Sequence, residues 1–106
     1  MEKKTFGMTA KDLINAQTSS IPLKQVSGEV ITATGLCVDY DTENERAISY
    51  IVSEDGSVYG SISETASKAI SSIIDYMTES NETQVELSIE MRKANSGREF
   101  ITVRII

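Results

Sequence analysis

A small, mainly β barrel of five strands, with one helix between the third and fourth, is the fold this sequence predicts. Three observations point to it. From Gly28 onward, apolar and polar residues alternate with period two over four or five separate stretches. That alternation is interrupted once, between Glu64 and Met77, by apolar residues at helical spacing. The 106 residues, 40% hydrophobic and 25% charged, suit one ordinary packed domain and leave no room for a second core.

The elements follow in order. Residues 1–20 form a helical or flexible N-terminal segment, in which Thr9 and Asp12 read as a capping box for a short helix through Leu13, Ile14 and Ala16. The polar run Gln17-Thr18-Ser19-Ser20 and the single proline, Pro22, separate it from the rest. Glu29 to Tyr40, rich in Val, Ile and Thr, is a long first strand, with Gly35 in the middle where a bulge or sharp coil belongs. Asp41 to Glu45 makes a hairpin loop, and Arg46 to Ser53 is the second strand, with Ile48, Tyr50 and Val52 on one face. The turn Glu54-Asp55-Gly56 leads into a third strand whose inner face is expected to be Val58, Gly60 and Ile62, with Ser57, Tyr59 and Ser61 outside.

Ser63 can cap the helix that starts at Glu64 and carries Ala66, Ile70, Ile73, Ile74 and Met77 on one face. Val85, Leu87, Ile89 and Met91 then alternate in a fourth strand, and Ile101, Val103 and Ile105 in a fifth, joined by a hairpin at Lys93-Ala94-Asn95-Ser96-Gly97. Strand, strand, strand, helix, strand, strand is the order of the five-stranded Greek-key OB-fold barrel. The loop between the first two strands is too short for the helix that a ferredoxin-like sandwich needs there.

Composition excludes much chemistry. Without histidine, and with Cys37 as the single cysteine, there is no Ser-His or Cys-His pair, no His-ligated metal and no internal disulfide. Cys37, between Leu36 and Val38, reads as a small buried hydrophobe. The glycines form no phosphate-cradling motif, and the acidic run Asp39, Asp41, Glu43, Glu45 lacks the glycine and the bidentate Glu of a calcium loop. The expectation is a protein that is not an enzyme and needs no cofactor. After Met1-Glu2-Lys3-Lys4 no apolar run is long enough for a signal or a membrane span, and a free thiol suits a reducing compartment, so a cytoplasmic location is expected.

The formal charge of −6 is unevenly spread. Asp39 to Glu45 carries −4 and Glu64 to Glu90 carries −5, whereas Arg92, Lys93, Arg98 and Arg104 against Glu99 leave residues 92–104 at +3. An anion belongs there. With strand three beside strand five, parity places Tyr59 on one outer face with Arg98, Phe100, Thr102 and Arg104. Aromatics among guanidinium groups suit single-stranded nucleic acid, where bases stack on rings and cations follow the phosphates. Arg92 and Lys93 extend the basic rim, and Tyr40 offers a third stacking surface. The competing placement has Phe100 and Ile106 under the N-terminal helix, against Leu13 and Ile14, with Tyr59 packing across strands. Tyr50 and Tyr76 read as structural.

The segments Ile21-Pro22-Leu23-Lys24-Gln25-Val26, Glu54-Asp55-Gly56-Ser57-Val58-Tyr59-Gly60-Ser61-Ile62-Ser63 and Ser96-Gly97-Arg98-Glu99-Phe100 resemble small single-stranded DNA-binding proteins encoded by phages and mobile elements of Gram-positive bacteria. The resemblance runs from about Leu13 to the end. It implies an OB-fold that coats single-stranded DNA without strong sequence preference, and it points again to Tyr59, Arg98 and Phe100. Its partners would be single-stranded DNA, replication proteins and further copies of the chain. Unlike cellular single-stranded DNA-binding proteins, this chain has no tryptophan and ends in Val103-Arg104-Ile105-Ile106 rather than in an acidic tail. The alternative function is an acidic OB-fold protein-interaction module that regulates a phage or plasmid replication complex.

Overall fold

A computed structural model describes residues 3–106; the first two residues of the basic N-terminal run lie outside it. Among the described residues are seven strands and two α-helices. They are β1 (Lys4–Phe6), α1 (Ala10–Ser19), β2 (Ile21–Pro22), β3 (Val30–Asp41), β4 (Arg46–Ser53), β5 (Val58–Ser61), α2 (Glu64–Glu79), β6 (Val85–Lys93) and β7 (Glu99–Ile105), with a 3-10 turn at Leu23–Val26. The five expected strands are β3 to β7. The count of five is corrected to seven by β1 and β2, which are three and two residues long and too short to show a period in the sequence.

One sheet holds all seven, in the order β2-β5-β4-β3-β6-β7, with β1 antiparallel to β3. The long β3 serves two neighbours along one edge, because Val30 to Ala33 pairs with β6 and the Leu36 to Val38 stretch pairs with β1. The register against β4 shifts between Ala33 and Gly35, where the sequence places a bulge. Gly35 is required there, since a Cβ would lie 2.9 Å from Met8 Cγ and 3.3 Å from the Gly7 carbonyl oxygen. The sheet curls but does not close. β5 pairs with β4 and β2, and β7 pairs with β6, so the expected adjacency of strand three (β5) and strand five (β7) is absent among the described residues.

Both helices start where the sequence signals them. Thr9 Oγ1 accepts from the Asp12 N–H at 3.1 Å, and the Thr9 N–H donates to the Asp12 carboxylate at 3.0 Å, completing the capping box. Ser63 Oγ accepts from the Ala66 N–H at 3.2 Å, and Ala66, Ile70, Ile73, Ile74 and Met77 of α2 are buried. They meet Ile31, Leu36, Val38, Ile51, Leu87, Ile89, Ile101 and Val103 in the main core. α2 packs against β3, β4, β7 and β1, and Lys4 Nζ ties β1 to it by bonds to Ser71 Oγ and Asp75 Oδ1, both 3.0 Å.

A second, smaller core lies on the other side of the sheet. There α1 places Ala16 and Leu13 over Cys37, Tyr50, Ile48 and Val58. Because this part of the sheet is covered on both faces, apolar side chains point both ways and alternation no longer identifies the inside. The expected parity of β5 is therefore reversed: Val58 faces the small core, while Tyr59, opposite Ile51 in register, packs against the main one. α1 lies on the β5 side and not over Phe100.

Cys37 is fully buried, and burial, followed by the Asp39 carboxylate, pushes its thiol up to about 11. The folded thiol thus stays protonated where an unfolded one ionises, so this group lowers stability only as the pH rises from its ordinary value of 9.0 towards 11. Folded protein should resist thiol alkylation at about pH 8 and react once urea unfolds it. Immediate labelling of the native chain would place Cys37 at the surface.

Candidate nucleic-acid interface

The open seam between β5 and β7 is a cleft of about 1440 Å³. One wall is built from β4, β5 and the segment around Pro22, the opposite wall from Arg98, Glu99, Phe100 and Ile101 at the start of β7, and the first half of α2 lines it as well. The β3–β4 hairpin contributes Tyr40, Glu45 and Arg46. Two hairpin arms thus flank one opening.

Three of the expected site residues come together here: Tyr40, Arg98 and Phe100 all line the cleft. Tyr40 and Phe100 are half-buried and belong to neither core cluster, which leaves their rings available to a ligand. Arg98 is exposed and has no ion-pair partner among the described residues. Arg92, Lys93 and Arg104 do not line it. Arg92 sits opposite Phe100 in the β6–β7 register, and Arg104 opposite Ser88, on the same outer face. Glu90 on that face binds both guanidinium groups, at 2.7 Å for Arg92 and 3.5 Å for Arg104, which tempers the basic rim. Lys93 is exposed at the end of β6.

Tyr59 is not part of this arrangement. Its ring is half-buried against the main core, the consequence of the reversed parity of β5. Tyr50 is buried under α1, as a structural residue should be. Tyr76 is 45% exposed, and its hydroxyl donates to Glu82 at 3.2 Å, so it is a surface residue and not a core one.

Three cations of the cleft were not singled out by the sequence: Lys24, Arg46 and Lys68. Lys24 lies inside the segment Ile21 to Val26 that carried the family resemblance, which was the available signal. Arg46 and Lys68 pair with Asp41 at 3.7 Å and Glu64 at 3.3 Å, so each reads from sequence as an ordinary surface charge beside an acid. With Glu45, Glu64 and Glu99 also present, the four cations leave the cleft at about +1 in a chain of −6. The acidic hairpin loop is organised internally. The Asp41 carboxylate accepts from Asn44 Nδ2 at 2.8 Å and from the Glu43 N–H at 3.1 Å, bonds that hold its carboxyl below the usual range.

Comparison with known proteins identifies the family. A family model described as phage single-stranded DNA-binding protein matches residues 5–106. The single-stranded DNA-binding protein of Bacillus phage B103 is 28% identical over 116 aligned positions, covering 98% of this chain and 95% of that protein. No solved structure matches. A family match over nearly the whole length shows that the chain belongs to the phage single-stranded DNA-binding proteins.

Proposed function

We propose that the protein coats single-stranded DNA without strong sequence preference, threading the strand through the cleft between the β3–β4 and β6–β7 hairpins. The observation that carries this reading is that Tyr40, Arg98 and Phe100 line that cleft. Tyr40 and Phe100 stack on bases, every one of which has a π-face, and Arg98 with Lys24 holds phosphates at its edge. Arg92, Lys93 and Arg104 guide the strand along the outer face of β6–β7. In this reading the sheet is an OB-fold opened at one seam, with β3 to β7 as its five Greek-key strands. The cleft-lining edge of β4 and β5 and the two hairpin loops then bind oligonucleotide, as that architecture allows.

The activity is binding alone, with no cofactor. It takes place in the cytoplasm, where replication proteins of the element and further copies of the chain along the strand are its partners. No helix among the described residues is long and apolar enough to cross a membrane.

Titration of a fluorescent oligo-dT at several salt concentrations tests the reading. The expected result is modest affinity with a shallow log-log salt slope of about −0.7 per phosphate contact. Arg98→Ala should weaken binding and flatten the slope by about one such contact. Absence of any complex at ~50 mM salt with micromolar protein would remove DNA coating as the function.

A further inference from the structure

Within the cleft, the wall formed by the start of α2 differs from the others in bearing hydroxyls. Ser63, Thr65, Ser67, Ser71 and Ser72 all line it, with Ser61 of β5 beside them. The placement of one hydroxyl is unusual. Two helical hydroxyls elsewhere in this chain bond back to the carbonyl four residues earlier, Thr18 to Ile14 at 2.9 Å and Thr78 to Ile74 at 2.8 Å. Ser67 does not; it is 3% exposed, and its Oγ has no hydrogen-bond partner. A buried hydroxyl left unpaired is a cost to the fold, and at the wall of a ligand cleft it is the group that an incoming polar edge would satisfy.

The charge on this wall selects what that edge belongs to. Glu64 occupies the first turn of α2, where its carboxylate already meets the positive end of the helix and repels a phosphate. Lys68, the cation of this wall, is paired with it at 3.3 Å. A neutral base edge meets no such repulsion. A hydroxyl also donates or accepts as it rotates, so it can serve the donor and acceptor patterns of every base without choosing among them.

Building on the cleft reading above, we infer that the hydroxyls of the α2 wall, exposed Thr65 and Ser72 along one edge and buried Ser67 along the other, make it a base-edge surface. Bases point inward onto Thr65, Ser67 and Ser72, and phosphates stay outside on the arginine and lysine rim. The wall gives hydrogen bonding without sequence selection, which is what a coating protein needs.

The test uses fluorescent oligo-dT, oligo-dA and an abasic oligomer of equal length, titrated against the whole protein. Thr65→Val combined with Ser72→Ala changes two exposed positions and should lower affinity roughly tenfold on both base-bearing strands. Affinity for the abasic strand and the salt slope should stay at the wild-type values. Thr65→Ser with Ser72→Thr, which keeps the hydroxyls, should restore binding. Ser67→Ala should melt at or above the wild-type temperature yet bind oligo-dT several-fold more weakly, a combination that a purely structural serine would not give. Unchanged oligo-dT affinity in both hydroxyl-deleted variants, or an equal loss on the abasic strand, would overturn the inference while leaving the cleft reading intact. A wild-type protein that binds none of the three strands would overturn both.

Discussion

Replacing Tyr40 and Phe100 together with alanine is expected to abolish most of the affinity for single-stranded DNA in a protein that still folds. Both rings line the cleft, both are half-buried, and neither belongs to a core cluster. Stacking one base on an aromatic is worth about 1–3 kcal/mol, so the pair together would cost about 2–6 kcal/mol of binding. At about 1.4 kcal/mol for each factor of ten, that is a loss of between tens and tens of thousands of fold. The salt slope should hardly move, because stacking releases no counterions, whereas Arg98→Ala changes slope and affinity together. Anisotropy titrations beside thermal melts separate the two effects. Wild-type affinity in the folded double variant would move the strand out of the cleft, onto the outer face where Arg92 and Arg104 surround Glu90.

Where one side of a segment is solvated, the alternation in this sequence identifies the inner face over the middle of each strand, and fails only at the ends, where Met91 and Ile105 are exposed. In β6, Val85, Leu87 and Ile89 are buried and Glu86 is exposed; in β7, Ile101 and Val103 are buried and Arg104 is exposed. The apolar stripe and Ser63 cap of α2 and the capping box of α1 were equally legible, because they are local signals carried by a few residues. The bulge at Gly35 was visible as a lone glycine in a long strand.

Legibility ends where long-range packing decides. β4 and β5 are sandwiched between α2 and α1, so Val58 and Tyr59 both find apolar neighbours and the period loses its sign. Strand five beside strand three is likewise an adjacency that belongs to a closed barrel. Here that seam is open, yet Phe100 and Arg98 still face the cleft, from its opposite wall. Lys24, Arg46 and Lys68 were hidden for a related reason: a cation beside an acid in sequence looks like a solvated pair until the fold shows what it borders.

Tyr59 separates the two accounts most sharply, and Tyr59→Ala is expected to cost stability rather than DNA affinity. Its ring packs against the main core, with fully buried Ile51 opposite on β4 and Ile21 alongside on β2. Truncating a core aromatic costs about 3–5 kcal/mol, and a half-buried ring belongs at or below the lower end of that range. In a domain of this size each kcal/mol is worth roughly 4–8 °C, so a fall in melting temperature of roughly 10–20 °C is expected. β2 pairs with β5 only through Ile21 and Pro22, so loss of the ring should also loosen the N-terminal segment beside the cleft. Binding should therefore be measured well below the lowered melting point, where the folded fraction is saturated and residual affinity stays within a few-fold of wild type. Tyr59→Phe keeps the packing ring, and no hydrogen bond to the Tyr59 hydroxyl is found among the described residues, so this variant should match wild type in both measurements. The opposite pattern, a Tyr59→Ala protein that melts like wild type and has lost its DNA, would put the ring back on the binding face and make β5 a stacking strand.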